Sequence, residues 1–245
     1  MNFAARIRIS IKGVVIVKEG LFIKLNWLVY RRAILNNLAI LSKENPKDLY
    51  KKARRVYKRE MKQLPEYGDN DALKLNLAHG ILIYAIYESC EQKPGVNELR
   101  KFYHDVILSS KIVRLLFANT DMTCAKRIKN ETNQAARSEK ATHPYTWQYK
   151  ISNIGDKRFT AKFSRCGIYD YFKSKGVEHL VPAMCLMDYS FCEVQNHIFL
   201  RKETLATGGR MCDCTYISKD MATKEELQDY EYDMRNEAKR GGITL

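Results

Sequence analysis

The sequence predicts an α+β fold, in which a helical N-terminal half packs on a small four-stranded antiparallel sheet with short helices. Two patterns support this prediction: apolar residues recur at helical spacing before residue 141, and they alternate with polar residues in several segments after it. The chain has 245 residues, of which 45% are hydrophobic and 29% charged. That composition is typical of a globular protein and excludes a disordered or collagen-like chain.

Helical periodicity predicts six helices in the first part of the chain, over residues 21–41, 46–63, 71–90, 96–108, 111–117 and 123–140. Pro46 falls in the first turn of the second helix, where its missing N–H costs no hydrogen bond. The third helix carries hardly any charge after Lys74, so we expect it to lie in the core.

Alternation with a period of two predicts four strands, near residues 146–152, 159–165, 197–204 and 211–217. Gly155-Asp156-Lys157 is typical of a hairpin loop between the first two. Further helices are expected over residues 167–175, 182–194 and 223–239. We divide the chain into a basic N-terminal extension, expected to be helical (1–45), a helical region (46–145) and an α+β region (146–245). The last two are expected to form one compact domain.

Basic residues are concentrated at the N-terminus. The net charge is +14, and residues 1–65 contain 16 Lys and Arg against 4 Asp and Glu. Such a segment suits an anionic membrane or a nucleic acid, or it is a solvated helix face. Nucleic-acid binding is not expected, because no groove-reading motif or stacking platform accompanies the charge. We expect the first helix to be mainly structural, with weak contact to anionic membranes as the alternative.

The cysteines and the apolar segments indicate a cytoplasmic protein. No stretch approaches the roughly 20 apolar residues that a transmembrane helix requires, and no convincing secretory signal is present. The chain has 7 cysteines, an odd number that is more typical of free thiols, ligands or catalytic groups than of a disulfide framework. Nucleotide-binding loops and the commonest hydrolase motifs are absent from the sequence.

Two candidate sites for chemistry follow the first pair of strands. Cys166 lies where a strand becomes a helix, and the helix dipole there favours a thiolate; the alternative is a buried small hydrophobe. Cys185 and Asp188 are three residues apart on one helix face. Asp188 lies in an apolar stretch, so its carboxylate needs a partner or a raised pKa, unless it is a surface group.

Two further candidates lie on the last strands. Cys212 and Cys214 share one strand face, with Asp213 on the other, and could bind zinc together with Cys166 or Cys185. Their spacing is not that of a zinc-binding motif, so neither a metal nor any other cofactor is predicted. Arg201 could hold a carboxylate through two parallel hydrogen bonds, or form a surface salt bridge.

Together these segments resemble a known family. Five segments are similar to the L-2-amino-thiazoline-4-carboxylic acid hydrolase family: the run from Cys166 to Gly176, the Cys185-x-x-Asp188 pair, Arg201, the Gly208-Gly209 turn and Cys212-Asp213. The resemblance spans about residues 46–218 and is most specific in its last third. Cys214 stands where the family usually has Phe, and the basic segment before about residue 45 is not part of the shared pattern.

The resemblance implies hydrolytic opening of a cyclic amidine, 2-amino-thiazoline-4-carboxylate, or cleavage of a related C–N bond in a small carboxylate substrate. The three catalytic residues that it implies are Cys166, Asp188 and Cys212. The five substrate-binding residues that it implies are Arg201, Tyr169, Gly209, Asp213 and Cys185. Cys166 or Cys212 would add covalently to the substrate, Asp188 would activate water and Arg201 would hold the carboxylate.

These residues come from separate elements, and we expect Cys166, Asp188, Arg201 and Cys212 to converge on one pocket between the sheet and the helices. The alternative function is a non-catalytic module on the same fold that senses a small ligand, a metal or the redox state.

Overall fold

The structure is a computed structural model that describes the backbone of residues 6–10 and 14–240 and the side chains of residues 26–232. Residues 1–5 and 11–13 of the basic extension, and residues 241–245 of the α+β region, lie outside the described residues.

The helices of the first part are α1 (Glu19–Asn37), α2 (Pro46–Gln63), α3 (Lys74–Ser89), α4 (Val96–Ser109), α5 (Lys111–Phe117) and α6 (Ala125–Ser138). The Asn45 side chain accepts a hydrogen bond from the backbone N–H of Lys47 at 3.0 Å, which caps the helix that Pro46 begins. Leu73 has a φ of 58°, a left-handed conformation that delays the start of α3 relative to the prediction.

The N-terminal extension was expected to be helical, but its described part is helical only from Glu19 onward. Its described part begins with two antiparallel strands, β1 (Arg6–Ser10) and β2 (Val14–Lys18), in which Ile7 lies opposite Val17. The helix prediction is therefore wrong for these segments, whose Val and Ile residues are β-branched and favour strands. Helix α1 follows directly.

The second part confirms the α+β prediction. Its strands are β3 (Gln148–Gly155), β4 (Arg158–Arg165), β5 (His197–Leu200) and β6 (Cys212–Ser218), in the antiparallel order β3-β4-β6-β5. Helices α7 (Gly167–Ser174) and α8 (Val181–Val194) connect β4 to β5, and α9 (Lys224–Arg240) follows β6. Asp156 and Lys157 form the loop of the β3–β4 hairpin.

Strand β5 is shorter than expected, because it ends at Leu200 and not near residue 204. The Asp213 carboxylate explains where it ends. Its Oδ1 accepts the backbone N–H groups of Lys202 at 3.0 Å and Glu203 at 2.8 Å, so a side chain replaces the strand partner.

One hydrophobic core joins the helical half to the sheet. It contains Ile34 of α1 and Leu77 of α3 together with Ala161 of β4 and Met184 of α8. A smaller cluster lies where α8 meets the end of the sheet, and its buried members are Leu186, Tyr189, Cys192, Phe199, Cys212 and Cys214. Helix α8 thus contributes to both clusters and connects the core to the candidate site.

Helix α1 contributes to the main core through Trp27, Tyr30, Ala33 and Ile34. This packing agrees with the expectation that the first helix is mainly structural. Within the described residues, no helix combines the length and the apolar character needed to cross a membrane.

Candidate active site

Cys166 occupies the N-cap of α7, directly after β4. The backbone N–H groups of Tyr169 and Ile168 face the sulfur, as the helix N-terminus dictates. Burial nevertheless dominates and raises the pKa of the Cys166 thiol far above its ordinary value. The free protein therefore holds Cys166 as a thiol.

The chain passes very close to another segment at this junction, where a Cβ on Gly167 would lie 2.3 Å from the carbonyl oxygen of Tyr145. Arg165 fixes the junction from the other side, because its guanidinium donates to Asp170 at 2.7 Å and to the carbonyl oxygen of Pro144 at 2.6 Å. The position of the Cys166 thiol is thus set by tight packing and by an anchored strand end.

Cys185 and Cys212 approach each other across a threonine. The Thr204 hydroxyl lies 3.3 Å from the Cys212 sulfur and 3.9 Å from the Cys185 sulfur. The backbone N–H of Leu205 donates to the Cys212 sulfur at 3.3 Å. A thiol from α8 and a thiol from β6 therefore meet at the loop that follows β5.

Cys166 lies within electrostatic range of these two thiols, because Cys185 and Cys212 both raise its pKa, as burial does. Burial raises the pKa of Cys185 to about 11, although Arg201 nearby lowers it. Cys185 and Cys212 thus meet at Thr204, with Cys166 in electrostatic range of both, and we call these three residues the thiol cluster.

Asp188 and Arg201 form an ion pair beside the thiol cluster. Arg201 Nη1 lies 3.2 Å from Asp188 Oδ2, and its Nη2 donates to the carbonyl oxygen of Cys185 at 3.3 Å. The rings of Tyr189 and Phe199 lie 5.5 and 5.2 Å from the guanidinium carbon. Burial raises the pKa of Asp188, and Arg201 opposes that rise.

The Arg201 side chain is only 4% exposed, so it does not form the surface salt bridge that the sequence left open. The two hydrogen bonds use only part of its five N–H donors. Its role as a clamp for a substrate carboxylate stays a prediction, since the guanidinium already holds Asp188 and the backbone of α8.

The other three predicted substrate-binding residues surround this region. Tyr169 is half-buried in the first turn of α7. Asp213 holds the backbone of residues 202 and 203. Gly209 lies in a tight turn where a Cβ would be 2.8 Å from the carbonyl oxygen of Thr204. The contacts of Asp213 and Gly209 shape the loop that carries Thr204.

Sequence reasoning did not select Thr204, although it lies between two of the thiols. A threonine just before a Gly-Gly turn is a local signal, because its hydroxyl caps the short turn by accepting the N–H of Ala206 at 3.3 Å. The aromatic pair around Arg201 was also missed. Phe199 precedes Arg201 by two residues on the chain, which is the spacing of one strand face.

A cavity of about 570 Å³ lies elsewhere, between the N-terminus of α6 and the β3–β4 hairpin, and Cys124, Ile154 and Lys157 are among its lining residues. None of the predicted site residues lines it. Among the residues that the structure describes, no group of three or more His, Cys, Asp and Glu side chains is placed to hold a metal ion.

The fold and the site define an α+β protein with free cysteines and an aspartate paired with a buried arginine, where helices meet one end of an antiparallel sheet. A family model described as L-2-amino-thiazoline-4-carboxylic acid hydrolase matches residues 75–216, more than half of the chain. The chain therefore belongs to the L-2-amino-thiazoline-4-carboxylic acid hydrolase family. No curated protein and no solved structure matched it. Helices α1, α2 and α9 lie outside the matched residues.

Proposed function

We propose that the protein is a hydrolase that opens a C–N bond of a small cyclic amidine bearing a carboxylate. The observation that carries this proposal is the meeting of Cys166, Cys185 and Cys212 next to the Asp188–Arg201 pair. All five residues lie within the part of the chain that the hydrolase family model matches.

Cys166 is our choice of nucleophile. The N–H groups at the start of α7 can stabilise negative charge on its sulfur, and the thiol can transfer its proton to a basic amidine nitrogen. The sulfur then adds to the sp² carbon of the amidine, and the ring C–N bond breaks as the nitrogen leaves protonated. Water replaces the sulfur at that carbon, and its second proton restores the thiol. The net reaction adds one water molecule across one C–N bond.

Asp188 is the group that activates this water in our proposal. Its carboxylate is a base whose pKa burial raises above that of an ordinary aspartate, which strengthens it as a proton acceptor. Arg201 keeps it oriented toward the thiol cluster through the 3.2 Å contact. The unused donors of the guanidinium are available to a substrate carboxylate.

The nucleophile is tested with Cys166→Ser and 2-amino-thiazoline-4-carboxylate, with product formation followed by mass spectrometry. We expect kcat to fall by at least about 1,000-fold, because a serine hydroxyl at the same place is a far weaker nucleophile. Cys124→Ser is the matched control, since Cys124 is likewise a helix N-cap and lies beside the separate cavity. It should retain the wild-type rate.

Full activity in Cys166→Ser together with its loss in Cys212→Ser would move the nucleophile to Cys212. If the wild-type protein bound this compound without turning it over, the hydrolase proposal would fail and a ligand-binding module would replace it.

The thiol cluster also favours a second candidate, a redox-sensing module. Three thiols brought together by separate elements could be oxidised in pairs. Intact-mass measurement after mild peroxide treatment distinguishes the two functions. A sensor should lose two hydrogen atoms reversibly and show no turnover of cyclic amidines.

A further inference from the structure

Helices α1 and α2 pack together and precede residues 75–216, which the family model matches. The Tyr50 hydroxyl donates to the carbonyl oxygen of Trp27 at 2.9 Å, and the two rings lie 5.0 Å apart, edge to face. This contact packs α1 against the N-terminal part of α2. We call the following exposed cations of the two helices the basic face: Arg31, Arg32, Lys47, Lys51, Arg54, Arg55, Lys58 and Lys62.

Most of these cations form no ion pair with an acid among the residues whose side chains the structure describes. Lys51 pairs with Asp48 at 3.4 Å, and both side chains are well exposed, at 71% and 65%. Within the described part of the chain, the other cations of the basic face form no ion pair. The remaining acids of this region, Glu44 and Glu60, already have their own lysine or arginine partners. The charge of the face is therefore not neutralised internally.

The spacing along α2 concentrates the charge on one ridge. Five cations recur at intervals of three or four residues, which places them on one side of the helix: Lys47, Lys51, Arg54, Lys58 and Lys62. The opposite side packs into the core through Leu49, Ala53 and Tyr57.

Arg31 of α1 adjoins this ridge, because Arg31 and Arg54 both act on Tyr50 and oppose the rise in its pKa that burial causes. Cations from both helices therefore surround the same phenol, and the basic face is continuous across the α1–α2 contact.

The basic face also presents an apolar side chain. Leu28 is 61% exposed and lies one turn before Arg31 and Arg32 on α1. The described aromatic rings of the two helices are turned inward instead: Trp27, Tyr30 and Tyr57 are buried, and Tyr50 is half-buried against Trp27. Among these described side chains, a single-stranded nucleic acid would find no fully exposed ring on which its bases could stack. Clustered cations around an exposed leucine suit an anionic lipid surface better.

We propose that the basic face docks on an anionic lipid bilayer, with its cations at the headgroups and Leu28 inserted between them. The cations of the basic face complement the negative charge of such a bilayer. The surface is preformed, since the buried side of α1 is anchored in the core and does not need to fold on binding. The contact is weak and reversible, because exposed charges are screened by salt. It is independent of the proposed hydrolase activity.

Vesicle co-sedimentation of the full-length protein tests the proposal. We expect pelleting with vesicles of phosphatidylserine and phosphatidylcholine, no pelleting with phosphatidylcholine alone, and release at high salt. Reversing three charges of the basic face, as Arg54→Glu, Arg55→Glu and Lys58→Glu together, should reduce partitioning by at least about tenfold. Leu28→Gln should reduce it by a smaller factor.

The matched control reverses three exposed lysines on and beside α6, as Lys126→Glu, Lys129→Glu and Lys140→Glu together. It makes the same change in net charge away from the basic face and should pellet like the wild type, with thermal melting confirming that both triple variants are folded. Equal loss of pelleting in the two would overturn the proposal, as would a failure of the wild type to pellet. Tighter binding of duplex or single-stranded nucleic acid than of the anionic vesicles at the same salt would also overturn it.

Discussion

Arg201 is buried although it is charged, and its surroundings show how the fold compensates. The guanidinium has an acidic partner, a carbonyl acceptor and two aromatic faces around it. A charge buried without such partners would be strongly destabilising. The positive charge of Arg201 also lowers the pKa of Asp188 and that of Cys185, and so opposes the rise that burial causes in both.

The electrostatic coupling at this site predicts the outcome of Asp188→Asn. Burial raises the pKa of Cys185 to about 11, and the Asp188 charge adds to this rise. Asparagine removes that negative charge and leaves the Arg201 cation uncompensated, so the pKa of Cys185 should fall and its thiolate fraction at moderately alkaline pH should increase. We expect iodoacetamide to alkylate Cys185 faster in this variant, as measured by peptide mass spectrometry.

Cys90 is an internal control for this measurement, because burial and Glu44 raise its pKa and Asp188 does not contribute. Its alkylation should not change. Asp213→Asn is the matched variant, since Asp213 is not among the groups that act on Cys185. An unchanged or slower alkylation of Cys185 in Asp188→Asn would contradict the coupling.

Among the elements, α7 determines where the candidate nucleophile lies, and two contacts fix this helix. At its start, Arg165 connects β4 to Asp170. Beyond its end, Lys175 forms an ion pair with the buried Glu60 of α2, which also accepts a hydrogen bond from Tyr171 at 3.1 Å. Helix α7 is therefore held to the sheet at one end and to the helical half at the other.

The Glu60 contacts predict a pH-dependent loss of stability in Glu60→Gln. Burial alone would raise the pKa of Glu60, but hydrogen bonds from Lys175, Arg59 and Tyr171 together hold it below the ordinary 4.5. The charged form therefore stabilises the fold above the unfolded-state pKa, and this contribution is lost as the pH falls through the folded-state pKa. Because Lys175 and Arg59 are partly exposed, we expect about 1–3 kcal/mol near pH 7.

Chemical denaturation at several pH values checks this prediction. The difference between the wild type and Glu60→Gln should shrink as the pH falls through the acidic range below 4.5. Glu66→Gln is the control, because Glu66 is exposed just after α2 and should cost little stability at any pH. A difference that did not depend on pH would contradict the charge-based explanation.

Local patterns predicted most elements but not all. The Asn45-Pro46 start of α2 and the alternation in β3 and β4 are strong short-range signals, and the structure confirms these elements. The β1–β2 pair was missed because each strand has only five residues: β1 alternates Arg with Ile, and the apolar run of β2 is closed by Lys18. Such short segments do not distinguish a strand from the start of a basic helix.

For the whole molecule, the shared core predicts a single unfolding transition. The two tryptophans report on different parts, because Trp27 lies in α1 and Trp147 directly precedes β3, and both are buried in that core. Within Trp27→Phe, the denaturation midpoint from tryptophan fluorescence should therefore equal the midpoint from far-ultraviolet circular dichroism. The same should hold within Trp147→Phe.

Each variant also has its own control, since circular dichroism follows the entire chain while the remaining tryptophan follows one half. Midpoints that differ between the two signals within one variant would show that the halves unfold separately. That outcome would place a domain boundary between the helical region and the α+β region.

The candidate site is a property of the whole molecule, and this limits what a sequence can reveal about it. Cys166, Asp188, Arg201 and Cys212 could each be selected from local context or from the family resemblance. Their arrangement depends on how α7, α8 and the β5–β6 connection pack, which no short-range pattern specifies. The burial of Arg201 was not predictable either, because an arginine near a strand end is more often exposed.

The close approach at Gly167 also sets limits on how this protein can be re-engineered. Since a carbonyl oxygen occupies the space that any side chain there would need, position 167 accepts no other amino acid without moving the backbone. At the opposite end of β4 from that junction, Asp156 in the hairpin loop is exposed. A label or an inserted peptide therefore belongs in the hairpin loop, whereas saturation mutagenesis at residue 167 would return only glycine.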